Sequence, residues 1–375
     1  MALPGYATRE STTTYQQRFS ATLAPAHFRE SLGLQLSSIG LGTYLGEADD
    51  ATDRQYVKAI SRALARGCNV LDTSINYRHQ RSERVIGRVL SSQDDAGIAQ
   101  RGEIVVATKG GYLTFDSALP PDPRAYIHET FIKSGLATAE DIVEWNCIAP
   151  RYLDAQVEQS LRNLGLACLD MYYLHNPETQ LQKWSRKEFL RRIEAAFTVL
   201  EEKVAAGKIR VYGTATWNGY RQPNTARDHL SLADLVATAR SVGGQDHHFK
   251  VVQLPYNLAM PEALAQQNQT VGKASVSFLE AAHDLGVTVM TSATLLQGKL
   301  AQQLPSFVGE AMTGLTTDAQ RAIQFTRSTP GITTALVGMK SAAHVDQNLA
   351  VAAIPPASLE QFQKLFRDRR AGESA

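Results

Sequence analysis

The stretch "NVLDTSINYRHQRSERVIG", residues 69–87, changes character twice. It opens as a short apolar run that stops at Asp72, turns polar, and places Tyr77 five residues further on. After the charged "RHQRSE" the apolar positions Val85, Ile86 and Val89 share one helical face, with Ser82 as a candidate N-cap. A strand that ends on a carboxylate, a turn and an amphipathic helix therefore follow one another. Such a helix has one apolar stripe and must lay it on a sheet.

The same alternation recurs along the chain. Short apolar runs stand at 38–44, 69–74, 103–109, 169–175, 208–216, 249–254, 287–293 and 332–339. Between them lie helical spacings such as Leu153, Val157, Leu161 and Leu164, or Phe189, Ile193, Phe197 and Leu200. Strands apolar on both faces are parallel strands covered on both sides, and eight of them alternating with helices predict an α/β fold, a (β/α)8 TIM barrel. An open doubly wound sheet is the rival arrangement. A single barrel domain over residues 1–375 is expected, with a tail and short hairpin in 1–37 able to plug one end, and a C-terminal extension over 353–375. Long loops are expected at 110–149, after the third strand, and at 217–228, after the fifth; loops of that length in a compact domain usually carry function.

Composition narrows the function. Thirty-eight basic residues against 37 acidic ones leave a net charge of +1, which offers no global pull toward nucleic acid or an anionic membrane. The cysteines Cys68, Cys147 and Cys168 form no CxxC pair and suit reduced thiols in a cytoplasmic protein. The first residues lack a basic segment followed by an apolar one, and no run approaches the ~20 apolar residues of a membrane span. The adjacent His247 and His248 point to opposite sides of a strand and do not suggest a metal site.

Asp72, Lys109, His175 and Gln253 each arrive at the end of an apolar run. In a barrel they gather on the C-terminal rim, where catalytic groups sit on rigid strand ends. Each has a bland reading alone: a helix cap, a solvated lysine, a satisfied histidine, and for Tyr77 ordinary packing. Together they suit carbonyl reduction. A cation beside a tyrosine favours the phenolate and lowers a pKa near ~10, a carboxylate holds the ammonium, and a histidine hydrogen-bonds the oxygen that gains charge.

The motifs "GLGTY", "NVLDTSINYRHQRSERVIG", "VVATK", "YYLHNPE", "VVQLPYN", "LLQGKL" and "ALVGMKSAAHVDQNL" fall in order over most of residues 30–352, and they resemble the aldo-keto reductase family. The resemblance implies a metal-free barrel that transfers a hydride between NADP(H), less often NAD(H), and a small-molecule carbonyl or alcohol. It implies that Asp72, Tyr77, Lys109 and His175 are catalytic, with Tyr77 the general acid or base, Lys109 and Asp72 tuning it and His175 orienting the carbonyl. It also implies a cofactor extended across the barrel mouth, with Thr43, Tyr44, Asp72, Thr216, Gln253, Leu295, Gln297, Lys299, Lys340, His344 and Asn348 at cofactor-contacting positions.

"GLGTYLG", residues 40–46, spaces its glycines unlike a dinucleotide fingerprint and is read as a close backbone approach to the nicotinamide. The chain departs from the family at the nicotinamide: Ala215 and Thr216 replace the usual Ser-Asn, and Ser292 stands where an aromatic ring is common, so either Trp217 or Tyr256 would take over the stacking or the stacking is absent. Lys340 can meet a 2′-phosphate as a point charge, without the fork of an arginine, which favours NADPH over NADH.

Tyr112, Phe115, Tyr126 and Trp145 in the long loop, with Trp217, would line a substrate pocket for an apolar or ring-shaped carbonyl compound, or would simply pack the loop. Two other functions fit parts of the pattern: a non-catalytic nicotinamide-binding sensor or partner subunit, and a Schiff-base lyase with Lys109 as nucleophile. Arg78, His79 and Gln80 either turn the chain or reach the substrate.

Overall fold

The computed structural model describes residues 2–96, 99–358, 360–362 and 364–365. Its centre is a closed barrel of parallel strands β3 (Ile39–Gly42), β4 (Val70–Asp72), β5 (Val105–Gly110), β6 (Leu169–His175), β7 (Ile209–Ala215), β8 (Phe249–Pro255), β11 (Thr288–Ser292) and β12 (Ile332–Gly338), with β12 pairing back onto β3. All eight apolar runs form these strands, and the open-sheet alternative falls because no edge is left. Helices α2 (Asp50–Leu64), α3 (Arg81–Ala96), α5 (Pro150–Leu164), α6 (Arg186–Ala205), α7 (Leu232–Gly243), α9 (Phe278–Asp284), α11 (Asp318–Ser328) and α12 (Ala342–Leu349) separate or follow them.

Two apolar layers hold the barrel. Val85, Ile86 and Val89 of α3, Leu153, Val157, Leu161 and Leu164 of α5, and Phe189, Ile193, Phe197 and Leu200 of α6 pack on the outer face of the sheet. Inside, Val70, Val105, Met171, Tyr173, Val251, Met290 and Leu336 fill the lumen. Helix α2 and helix α6 stop just before Gly67 and Gly207, whose φ of 85° and 70° suit a residue without Cβ.

The hairpin β1 (Phe28–Ser31) and β2 (Leu34–Ser37) lies at the N-terminal end of the barrel. Leu36 of β2 is fully buried among the lumen residues. Asn69, at the entrance to β4, accepts from Ser37 N at 2.9 Å and donates to Gln35 O at 2.9 Å. The preceding segment differs from the expected tail: it forms helix α1 (Arg9–Arg18), capped by Thr8, with Thr12 and Tyr15 buried. With so few buried positions its sequence shows no apolar stripe.

Ser82 is not a helix cap. It lies within α3, and its hydroxyl donates to Thr43 O at 2.9 Å, tying the helix to the rim after β3. The long loop after β5 contains the short helix α4 (Pro123–Ile127) and its own small core of Leu113, Ile127, Phe131, Cys147 and Tyr152. A second unexpected hairpin, β9 (Gln269–Val271) and β10 (Ala274–Val276), follows the short helix α8 (Glu262–Ala265), and α10 (Ser306–Ala311) precedes α11. Of the C-terminal stretch, Phe362 stacks on Phe325 at 5.3 Å; residues 359, 363 and 366–375 lie outside the described residues. Among described residues no helix is long and apolar enough to cross a membrane.

Candidate active site

The parallel register fixes the strand ends at one rim, with Gly42 beside Asp72, Lys109 beside Tyr173, and Ala215 beside both His175 and Gln253. Asp72 Oδ1 accepts from Lys109 Nζ at 2.6 Å, and its Oδ2 accepts from Gln253 Nε2 at 2.7 Å. Lys109 Nζ also donates to Thr73 O at 2.7 Å and is fully buried. Burial draws its pKa below the usual lysine value, and the adjoining Asp72 carboxylate opposes that shift. A buried cation is tolerable here because it is paired and hydrogen-bonded.

Tyr77 stands over this pair, with Lys109 Nζ 5.1 Å from its ring centroid. Its ring meets Tyr44 edge-on at 5.0 Å and His175 at 5.9 Å, and Tyr112 meets the other side of His175 at 5.1 Å. The expected lowering of the Tyr77 pKa by the lysine is not seen. Burial, then the Asp72 charge, push the phenol well above its ordinary value. The ammonium at 2.6 Å from Asp72 is already compensated, so the ring feels an ion pair rather than a free cation. His175 moves the other way: burial and the Lys109 charge hold it well below the usual histidine value, so it is neutral at neutral pH.

Arg78, His79 and Gln80 turn the chain by a costly route, all three having positive φ (50°, 54° and 70°). Such residues persist only where surroundings over-determine them. Here Arg78 donates to Glu47 O at 2.8 Å and pairs with buried Asp53, His79 O accepts from Ser117 N at 2.9 Å, and Gln80 Nε2 donates to Phe115 O at 3.0 Å. The turn that presents Tyr77 is thus bolted to the loops after β3 and β5.

The family model for "Aldo/keto reductase family" matches residues 38–367. The chain belongs to the aldo/keto reductase family. It is 28% identical over 203 residues to the NADH-specific methylglyoxal reductase of Escherichia coli (strain K12), covering 52% of this chain and 51% of that one. It is 25% identical over 224 residues to the 6-dehydroglucose reductase of Novosphingobium aromaticivorans, covering 58% and 59%. The chain spans about half the length of these curated relatives. An aldo/keto reductase from Klebsiella pneumoniae solved in complex with NADP and acetate superposes with TM-score 0.61 at 21% identity, over 92% of this chain and 95% of that one, and shares the fold.

Several residues of this family member fit a nicotinamide cofactor. The Thr216 hydroxyl, at the end of β7, is buried without a partner, and so is that of Thr294 after β11, which sequence reasoning missed. A bound carboxamide is the kind of group that would satisfy such orphans. Gly42 leaves room at the rim, since a Cβ there would come no nearer than 3.8 Å to its neighbours, whereas Gly40 is small because Leu336 packs against it. Thr43 offers no free hydroxyl hydrogen; it is buried and donates to Asp72 O at 3.2 Å.

Tyr44 is 55% exposed beside Tyr77. Leu295 is half-buried, and Gln297 and Lys299 are exposed on a loop that turns through positive φ at Leu296, Gln297 and Gly298. At the start of α12, Ser341 caps the helix by accepting from His344 N, Lys340 and His344 side chains are exposed, and Asn348 is buried. Of the two rings expected to replace the stacking aromatic, Tyr256 is excluded: it is fully buried, stacked on Phe325 at 5.5 Å and hydrogen-bonded to Thr329. Trp217 is 43% exposed.

Of the aromatic residues expected at the substrate, Tyr112 is the one whose ring pairs with that of His175, at 5.1 Å, among the described residues. Phe115 packs among His79, Tyr126 and Trp145, and Tyr126 also contacts Phe131, so Tyr126 belongs to the loop's own core. Trp145 is 45% exposed.

Three further residues shape the site. Ser74 Oγ lies 3.2 Å from His175 Nδ1, Asn146 Nδ2 donates to His175 O at 2.8 Å, and buried Glu178 accepts from the N–H groups of Trp217, Asn218 and Gly219 at 2.8, 3.0 and 3.3 Å. Ser74 and Glu178 lie inside motifs already quoted, where a hydroxyl and a carboxylate beside Asp72 and His175 are the available signal. A surface cleft of about 820 Å³ lies elsewhere, but its Arg81, Arg84 and Arg88 are already paired with Asp50, Asp116 and Asp53.

Proposed function

We propose that the chain is an NAD(P)H-dependent oxidoreductase that reduces an aldehyde or ketone to an alcohol, or runs the reverse, working as one barrel domain. The carrying observation is the buried Lys109–Asp72 pair with Tyr77 over the lysine and neutral His175 beside it. A bound reduced nicotinamide supplies the hydride that reaches the carbonyl carbon. Tyr77 gives its hydroxyl proton to the carbonyl oxygen, and its raised pKa keeps that proton in place at neutral pH. Lys109, held by Asp72 and Thr73, carries the positive charge toward which the developing phenolate turns. His175 adds a neutral hydrogen-bonding nitrogen next to the tyrosine.

The orphaned hydroxyls of Thr216 and Thr294 and the open Gly42 support cofactor seating at the rim. Exposed Lys340 supports a 2′-phosphate, hence NADP(H) in preference to NAD(H); a relative named NADH-specific keeps the latter open. Tyr112, Trp145 and Trp217 would face the substrate. Three buried free thiols suit a reducing cytoplasm. The Schiff-base lyase is disfavoured, because Lys109 Nζ is fully buried and held as an ammonium by the Asp72 carboxylate at 2.6 Å, and an ammonium has no lone pair to attack a carbonyl. Fluorescence titration tests the cofactor reading: NADPH should bind at least about tenfold more tightly than NADH, and Lys340→Ala should remove that margin. Equal affinities would set the preference aside.

A further inference from the structure

The motif "RSERVIG", residues 81–87, has a packing reason for two of its members. Ser82 ties α3 to Thr43 O, and a Cβ on Gly87 would come within 2.7 Å of Leu164 O at the end of α5. Glu83 has no such reason. It stands on the first turn of α3, fully buried, and both of its side-chain hydrogen-bond partners are neutral. A carboxylate in such a place is unfavourable unless its charge is used.

The hydrogens around Glu83 say which form it takes. Asn163 Oδ1 accepts from Arg84 Nε at 3.2 Å and Gln159 Nε2 at 2.9 Å, which leaves Asn163 Nδ2 to donate to Glu83 Oε2 at 2.8 Å and Gln80 Oε1 at 3.0 Å. An N–H aimed at Oε2 means that this oxygen carries no proton. Thr108 Oγ1 lies 2.6 Å from the other oxygen, a separation typical of a hydroxyl donating to a charged one. Were Oε1 protonated, the threonine would have to accept, and its own hydrogen would be left buried without an acceptor. Burial pushes the Glu83 carboxyl above the usual range, and hydrogen bonds from Asn163, Thr108 and the buried Ser160 hydroxyl draw it back.

Thr108 directly precedes Lys109 on β5, and successive strand residues face opposite sides of a sheet. Lys109 therefore has one carboxylate on its own side of the strand, Asp72 at 2.6 Å, and a second on the other side, Glu83. Burial draws the lysine down, and the charges of Asp72 and then Glu83 oppose that shift. Tyr77, whose ring centroid lies 5.1 Å from Nζ, and neutral His175 are the other titratable groups facing the ammonium. Next to Glu83 itself stand Arg84, paired with Asp116, and the fully buried Tyr172 of β6.

We propose that Glu83 is a positioning residue for the reaction: a second buried carboxylate that acts through Lys109 from the outer face of β5 and keeps the lysine an ammonium while Tyr77 gives up its proton. The kinetic half of this inference rests on the reductase reading; the charge half does not.

Nitrogen-15 NMR of lysine-labelled protein, with the Lys109 signal identified by its loss in Lys109→Arg, follows the ammonium through a pH titration without cofactor or turnover. Taking away a nearby negative charge favours the deprotonated lysine, so Glu83→Gln should lower the Lys109 midpoint by about half a pH unit or more. Glu83→Asp, which keeps the charge, should lie closer to the wild type. Equal midpoints for the wild type and Glu83→Gln, or an aspartate midpoint no closer to the wild type than that of the glutamine, overturn the inference. Carbon-13 NMR of glutamate-labelled wild type, with the Glu83 carboxyl signal identified by its loss in either variant, should show an ionised group at neutral pH; a protonated one overturns the inference without asking either variant to fold well. The kinetic half is read from kcat for aldehyde reduction against pH. Its alkaline limb should move down in Glu83→Gln and return toward the wild type in Glu83→Asp, whereas a lower kcat with an unmoved limb would make Glu83 a packing residue and overturn that half. A shifted Lys109 midpoint in a protein that reduces no aldehyde would count against the reductase reading while upholding the charge half.

Discussion

At the scale of single residues the site is an exercise in how to keep a charge away from water. Lys109 is fully buried, and its ammonium is acceptable only because Asp72 lies at 2.6 Å and Thr73 O at 2.7 Å. Removing the lysine leaves the Asp72 carboxylate buried with Gln253 as its remaining side-chain donor. Lys109→Met is therefore expected to lower folding stability by about 3–5 kcal/mol. Urea denaturation followed by far-UV circular dichroism checks this, and a loss under about 1 kcal/mol would mean that the pair is not held as tightly as the geometry says. Asp72, Lys109 and His175 were legible in sequence because each ends an apolar run, and Tyr77 because it follows five residues after Asp72. Their electrostatics were not. The sequence places a cation beside a tyrosine, but whether that cation is free or compensated depends on a contact across 37 residues.

At the scale of elements, connecting segments hold the site as firmly as the strands do. The turn at Arg78–Gln80 carries three consecutive positive φ values and is fastened to two loops, so it turns the chain and anchors Tyr77. Nothing in the residue types Arg, His and Gln announces a left-handed turn, since glycine is the usual signal. Glu178 does similar work two strands later, after β6. One of its carboxylate oxygens gathers the N–H groups of residues 217–219, just past the orphaned Thr216 hydroxyl and beneath exposed Trp217.

Glu178→Ala would leave those donors unpaired at a cost of about 1–3 kcal/mol, and NADPH affinity should fall by about tenfold or more, read by nucleotide fluorescence. Glu178→Gln keeps an acceptor oxygen and should bind nearly as the wild type does. Equal affinities for the alanine and glutamine variants would show that the loop holds its shape without the carboxylate.

At the scale of the whole molecule, the barrel was readable because parallel strands covered on both faces leave long apolar runs, and eight of these were present. Helix α1 and hairpin β9–β10 were not readable. The first buries only Thr12 and Tyr15, and the second buries only the polar Gln269 among exposed and half-buried residues, so neither carries the apolar periodicity that marks a core element.

The N-terminal plug nevertheless brings a pH liability. His27 is fully buried, with Nε2 2.9 Å from Gly67 O and Nδ1 3.1 Å from Ser38 Oγ, and burial lowers its pKa to about 3. Between that value and the ordinary one near 6.5 the unfolded chain binds a proton that the folded chain refuses. Its contribution is thus intact above about pH 6.5 and is lost as the pH falls toward 3, by up to about 1.4 kcal/mol for each pH unit. Melting temperatures measured from neutral pH downward should fall more steeply for the wild type than for His27→Gln. Parallel curves would assign the acid sensitivity to other groups.

In the proposed reaction Tyr77 is the proton donor for carbonyl reduction at this rim. The most direct test is the carbonyl-dependent loss of NADPH absorbance for wild type and Tyr77→Phe, with cofactor affinity measured on both proteins. Turnover by the wild type, a fall of about 10²- to 10⁴-fold in Tyr77→Phe and unchanged NADPH affinity are expected; equal turnover by the two proteins across a broad aldehyde panel would rule Tyr77 out as the proton donor.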